Sequence, residues 1–261
     1  MVKPSELHSR AGLELERRYT SRDVAVLTDE EARRFVDNGA DPQTDLELAW
    51  ELLYRHEPEL YDRLATAERL HASVLTWLPD RVSRVVEVGA GTGRLTLELA
   101  HRADELVAIE PAAPLRAILS QKLVRGIRAE RPVVKAGFFD QLPVGDAWAD
   151  LVVTCSALTS SPRHGGEAGL AEMERVCKPG GLVAVVWPNH LDWLAARGYR
   201  YVCFPGEVFV EFPSHADAVE LSEIFYPSAA AAVRRSRGRR FSYETLGVNP
   251  PRDIAFKELA A

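Results

Sequence analysis

The stretch Glu87-Val88-Gly89-Ala90-Gly91-Thr92-Gly93 carries the densest chemical signal in the chain. Glycines lack a Cβ, so the backbone can turn tightly and come close to a ligand. A helix starting just after them would point unpaired N–H groups the same way. The spacing is G-x-G-x-G, and Arg94 stands where a dinucleotide fingerprint needs glycine. Glu87, directly before the loop, would repel a pyrophosphate and suits a ligand carrying an amino group or a sulfonium. Glu110 follows Gly89 by 21 residues, the placement at which an acid can accept both hydroxyls of a ribose. Pro111 then removes a donor and opens a helix.

The elements that must hold these residues follow from hydrophobic texture. From Arg84 the chain reads strand, loop, helix: RVVEV, ELVAIE, RPVVKAG, ADLVVTC and GLVAVVW are strand-like, with helices between them. The helix LAEMERVCK is expected to stop at Pro179-Gly180-Gly181. This alternation implies a mostly parallel, doubly wound α/β sheet covered on both faces. Ligands in such sheets sit outside the carboxyl ends of the strands. Before it, residues 1–80 read as helices: Leu46, Ala49, Trp50, Leu53 and Tyr54 share one face, and the pattern resumes after Pro58. That segment holds 10 basic against 17 acidic residues, so it carries the chain's acidic excess as a solvated cover.

Composition excludes several classes. Apolar residues at 46% and charged residues at 27% are globular values, which argues against a disordered or fibrous chain. A net charge of −6 disfavours nucleic acid and anionic membranes as partners. Three cysteines at wide spacing make neither a disulfide framework nor a zinc site, and they fit a cytoplasmic protein. The first residues show no apolar leader, and no apolar run is long enough to span a bilayer.

The ordered set EVGAGTG, the acid of VAIEP, GFFDQLP, ADLVVTC and ERVCKPGG resembles the class I S-adenosylmethionine-dependent methyltransferases, over about residues 84–188. That resemblance implies a Rossmann-like sheet whose last strand is antiparallel. RRFSYETL and RDIAFKEL are the segments available for a terminal hairpin. It implies S-adenosylmethionine as cofactor, with Glu87, Gly89, Ala90, Gly91 and Gly93 around the amino acid end, and Glu110 and Pro111 at the ribose. Phe138, Phe139 and Asp140 would surround the adenine end, and Cys155 is a further cofactor-binding candidate. The family often has an acid where Phe138 stands, so adenine is expected to meet a shifted Asp140 or a phenylalanine ring.

Methyl transfer from a sulfonium requires alignment and exclusion of water, and only sometimes a base. His190, after the fifth strand, is the candidate base, because imidazole titrates near neutrality. No acidic pair follows strands four and five, which speaks against a metal site. Residues 187–226 hold nine of the chain's 21 aromatics, suiting an apolar pocket, a second core or a homodimer interface. Arg234, Arg235, Arg237, Arg239 and Arg240 form a basic cluster, expected at a solvated helix end. The organisation expected is a helical cover over 1–80 and a methyltransferase domain over 81–261, with an aromatic lid at about 188–226. The function expected is O-directed methylation of an apolar or aromatic small molecule. An RNA or protein methyltransferase, or a cofactor-binding subunit without catalysis, are the alternatives.

Overall fold

The computed structural model describes residues 18–36, 40–126 and 132–261. The reading of the leader falls mainly on residues 1–17, outside the described residues. Two compact units divide the chain: one runs to Arg69 and includes Gly206–Pro250, the other is Leu70–Pro205 with Pro251–Ala261. The helical unit therefore closes before residue 80 and takes in a second, later stretch. The aromatic segment is split, with residues up to Pro205 in the sheet unit and those from Gly206 in the helical one.

Among the described residues the strands are β1 (Val82–Val88), β2 (Ala103–Ile109), β3 (Val133–Lys135), β4 (Ala149–Cys155), β5 (Cys177–Val186), β6 (Arg200–Cys203), β7 (Phe209–Glu211), β8 (Arg240–Ser242) and β9 (Asp253–Glu258). Seven of them form one sheet in the order β3-β2-β1-β4-β5-β9-β6. Strands β1 to β5 are parallel, with Val85 opposite both Leu106 and Leu151. Their apolar runs are continuous because helices cover both faces: Val85, Val86, Leu151, Val152, Val153, Val183 and Val186 are all fully buried. The order reverses between β1 and β4, so the ends of those two strands flank the switch point.

Three expectations change in detail. The helix Gly166–Val176 ends before the Pro-Gly-Gly, and β5 begins at Cys177. The register against β4 slips between Ala149 and Leu151. A Cβ on Gly181 would lie 2.7 Å from Cys177 Sγ, so the bare glycine lets the strand fold through this irregularity. The helix expected across RLTLELAHRA shortens to Thr96–Leu99, with Leu95 and Leu99 both buried. The antiparallel termination exists, but with a different partner: β9 lies between β5 and β6, whereas residues 240–242 pair with β7 in a separate two-stranded sheet. Strand periodicity marks a strand and carries no information about which of several short strands it will pair with.

In the helical unit, the helices Leu46–His56 and Pro58–Ala67 appear as read. The second breaks at Glu68, which is buried and accepts a 2.5 Å hydrogen bond from the Tyr226 hydroxyl. Arg55 is buried between Glu31 at 2.8 Å and Glu51 at 2.6 Å, so two carboxylates compensate one desolvated guanidinium. The basic cluster straddles the end of the helix Pro227–Ser236, where Arg237 takes a left-handed cap with φ 57°. Arg234 pairs with Glu223, Arg239 with Glu211 at 3.3 Å, and Arg240 lies 3.8 Å over the Phe209 ring. No helix among the described residues is long and apolar enough to cross a membrane.

Leu151 is fully buried on β4, between β1 and β5. Leu151→Ala is expected to lower unfolding free energy by about 2–5 kcal/mol through a central cavity, read as a shift in the urea midpoint.

Candidate functional site

The loop after β1 takes three left-handed residues in seven, Gly89 (φ 72°), Gly91 (φ 55°) and Gly93 (φ 101°). Such φ values are strained for residues with a Cβ. Two of these glycines also serve the protein's own packing. A Cβ on Gly89 would sit 2.6 Å from Ala157 Cβ, and one on Gly93 would sit 2.7 Å from Leu119 Cδ1. The loop is thus pressed between the segment after β4 and the helix Ala113–Gly126.

Glu110, at the end of β2, is buried and closes the loop from the other side. One carboxylate oxygen accepts from Gly91 N–H at 2.9 Å, the other from Ala112 N–H at 2.9 Å. A carboxylate oxygen can accept more than one hydrogen bond. Arg116 donates to the carbonyls of Glu110 and Pro111 at 2.7 and 2.6 Å, bracing the turn that starts the helix. Gly89 and Ala90 both donate to the Ile109 carbonyl, which locks the two strand ends together.

Glu87 lies at the end of β1 with 1% exposure, and its Oε2 has no hydrogen-bond partner. Burial pushes its pKa up to about 8; the Thr96 hydroxyl opposes the rise and the Glu110 charge adds to it. A buried carboxylate lacking a donor is costly unless something supplies one. The residues present fit a ligand with an ammonium group beside a ribose: an acid with one unsatisfied oxygen, a turn of left-handed glycines, and a second acid at the end of β2.

The other expected residues lie along the same carboxyl edge. Phe139 packs into the core at the end of the third-strand segment, its ring about 3.5 Å from where a Gly89 Cβ would stand. Gly165 and Gly169 face the same ring, with virtual Cβ contacts of 3.1 and 2.8 Å. Phe138 is half-buried and bridges to Gln141, while Asp140 is exposed. Cys155, a free thiol, ends β4 and is half-buried. Among the described residues no group of three or more His, Cys, Asp or Glu could hold a metal ion.

His190 is exposed after β5. Its Nδ1 accepts from the Ser160 backbone N–H at 2.9 Å, and the Ser160 hydroxyl is 2.7 Å from the same nitrogen. A ring nitrogen that accepts an amide hydrogen carries none, so the neutral imidazole presents Nε2–H outward. In this tautomer the outer nitrogen is a donor.

Sequence reasoning did not single out two features. Ser156 (φ 54°) and Trp187 (φ 52°) are left-handed non-glycine residues directly after β4 and β5. Strain of this kind concentrates at functional sites. The Arg94 guanidinium lies 5.3 Å from the Trp187 ring, so the residue replacing the fingerprint glycine reaches the end of β5.

Residues 85–181 match the model of the methyltransferase domain family. An uncharacterised methyltransferase of Mycobacterium tuberculosis is 30% identical over 130 residues, 48% of this chain and 49% of that one. Another, from Geobacillus kaustophilus, is 31% identical over 111 residues, 42% and 49% of the two chains. The chain spans about half the length of the curated relatives it matches. Among solved structures, phosphoethanolamine N-methyltransferase 1 of Haemonchus contortus, in complex with phosphoethanolamine and S-adenosylhomocysteine, is 21% identical. It covers 54% of this chain and 31% of its own, with a TM-score of 0.44. The family match, with the motifs in order, supports the class I S-adenosylmethionine-dependent methyltransferase superfamily.

Near neutral pH Glu87 holds its proton in the free protein, and an ammonium ligand favours the carboxylate. Binding of S-adenosylhomocysteine at pH 6.5 is therefore expected to release up to about one proton. Titration calorimetry in buffers of different ionisation enthalpy reads this directly. Glu87→Gln should abolish the release, and affinity in the wild type should rise between pH 6 and about 8.

Proposed function

We propose that this chain, whose residues 85–181 carry the methyltransferase-domain pattern, transfers a methyl group from S-adenosylmethionine to an oxygen of a small apolar or aromatic molecule. The buried, donor-deficient Glu87 beside the glycine loop and Glu110 is the observation that carries the reading. When bound, S-adenosylmethionine supplies an activated methyl carbon. The chain's own residues bind, orient and dry the site.

Glu87 would take the ammonium, the loop backbone the amino acid end, and Glu110 the ribose hydroxyls. Phe139, whose ring lies about 3.5 Å from where a Gly89 Cβ would stand, would meet the adenine side. The acceptor would lie toward the ends of β4 and β5, where Ser156 and Trp187 fix the chain in unusual turns. Trp187 is 7% exposed and so presents an almost fully desolvated wall. His190, with Nε2–H outward, would donate a hydrogen bond to the acceptor, and transfer would proceed by proximity without an imidazole base.

Wild-type protein is expected to bind S-adenosylhomocysteine with micromolar affinity, roughly −8 kcal/mol, by calorimetry. Gly91→Val should remove measurable binding, because a β-branched residue cannot take φ 55° there. Glu110→Gln keeps one carbonyl acceptor, so it should weaken binding by about 1.5–3 kcal/mol. No binding by folded wild type would overturn the reading. His190→Ala should change turnover less than about tenfold. A loss of two orders of magnitude would mean that the ring acts as a base in the loaded enzyme.

A further inference from the structure

A second carboxylate stands on the same sheet edge, half-buried as a residue but with one oxygen shielded from solvent. Asp253 opens β9 where β5 ends, and its carbonyl accepts from Trp187 N–H at 2.9 Å. On the other side it faces Cys203 in the β6 register. The Tyr201 hydroxyl of β6 donates to Asp253 Oδ2 at 2.9 Å. Oδ1 is buried and has no hydrogen-bond partner. A buried acceptor left unmet costs on the order of 1–3 kcal/mol, and more when it is charged. The pair is therefore built like a site missing one donor.

Its surroundings narrow what that donor can be. Phe204, three residues past Tyr201 at the same sheet edge, stacks parallel to His71 with ring centroids 6.4 Å apart. Its N–H is held by the Arg252 carbonyl at 2.9 Å. The aromatic stack thus lies one residue along from the Cys203–Asp253 pair. Tyr201 is 37% exposed, so the pair meets solvent on that side. The groups facing Asp253 are Tyr201 and Cys203 from β6 and Arg252 from its own strand. Burial pushes the Asp253 pKa up to about 6, against the Tyr201 hydrogen bond and the Arg252 charge. Asp253 lies two strands beyond β4, roughly 10 Å across the sheet, which is the span of a ring-bearing small molecule.

We propose that Asp253, held by Tyr201, anchors the amino group of the methyl acceptor, a primary amine carried on an apolar or aromatic body. An ammonium supplies both the missing donor and a charge to offset the carboxylate. A carboxylate or phosphate in its place would be repelled. The word acceptor rests on the methyl-transfer reading above; the amine site does not.

The test titrates tyramine into the full chain, with para-hydroxyphenylacetate as the carboxylate counterpart on the same ring. Tyramine should bind wild type, and Asp253→Asn, which keeps the shape, should bind it at least about tenfold more weakly. Tyr201→Phe, on the edge strand, should weaken it about threefold. Between pH 7.5 and 5 wild-type affinity should fall at least about fivefold as Asp253 takes a proton, while Asp253→Asn stays flat. Thermal unfolding of each variant establishes that it is folded. The site is overturned if wild type binds no tyramine, if Asp253→Asn binds it equally, or if para-hydroxyphenylacetate binds as tightly. S-adenosylhomocysteine is titrated into the same samples and should bind all of them alike. Tyramine binding without S-adenosylhomocysteine binding would leave the amine site standing and remove methyl transfer. The reverse would remove the amine site alone.

Discussion

The Glu110 carboxylate joins two loops that the sheet alone would leave independent. With one oxygen on Gly91 N–H and the other on Ala112 N–H, it ties the turn after β1 to the turn after β2. Both turns expose backbone amides at the edge of a buried sheet, and such amides need acceptors. A single buried acid meets one in each. The glycine loop can then hold three left-handed residues in place, since its midpoint is hydrogen-bonded and its ends pack on Ala157 and Leu119. Removing the acid would loosen the loop as well as remove a ligand contact. A conservative Gln is for this reason more informative than Ala.

Along the rest of that edge the same economy recurs. Four of the strands carry there either a polar atom without a partner or a turn with a left-handed residue. Glu87 lacks a donor at the end of β1, Ser156 and Trp187 take left-handed turns after β4 and β5, and Asp253 lacks a donor where β9 begins. The amino-terminal edge shows the opposite habit. There Asp150 accepts from Arg84 N–H at 2.9 Å and from Lys178 at 2.8 Å, so its bonds are made within the protein. Its pKa is accordingly lowered, chiefly by the Lys178 bond. A parallel sheet gathers its strand-to-helix turns at one edge, and local cost can be stored there because the buried strands below are rigid.

The helical unit solves a different problem. Its acidic residues, which dominate the sequence count, are not all solvated. Glu31, Glu51 and Glu68 are buried, the first two around Arg55 and the third under Tyr226. Breaking any of these would strand a charge or a hydroxyl in a low dielectric, which is costly even where the intact pair contributes little. The basic cluster likewise spends much of its charge on neighbours in its own unit, on Glu223, Glu211 and the Phe209 ring.

The sequence by itself determined the parallel sheet, the glycine turn and the two acids that flank it. These are local signals: apolar runs of strand length, a G-x-G-x-G spacing, and an acid at a strand end. The helices over residues 46–67 were legible as apolar periodicity within one segment. Only the tertiary structure decided which strand β9 pairs with, since β6 and residues 240–242 are equally short and polar-flanked. It also decided that 206–250 belongs with the N-terminal helices, because compactness depends on contacts between segments far apart in sequence. The state of the polar groups was invisible for a similar reason. That His190 Nδ1 accepts from the Ser160 amide, thirty residues earlier, could not be read from the sequence. Asp253 looked like an ordinary strand residue until Tyr201, 52 residues earlier, bonded one of its oxygens and the fold left the other buried without a donor. Burial and hydrogen-bond satisfaction belong to the neighbours a residue acquires on folding, and no local pattern encodes them.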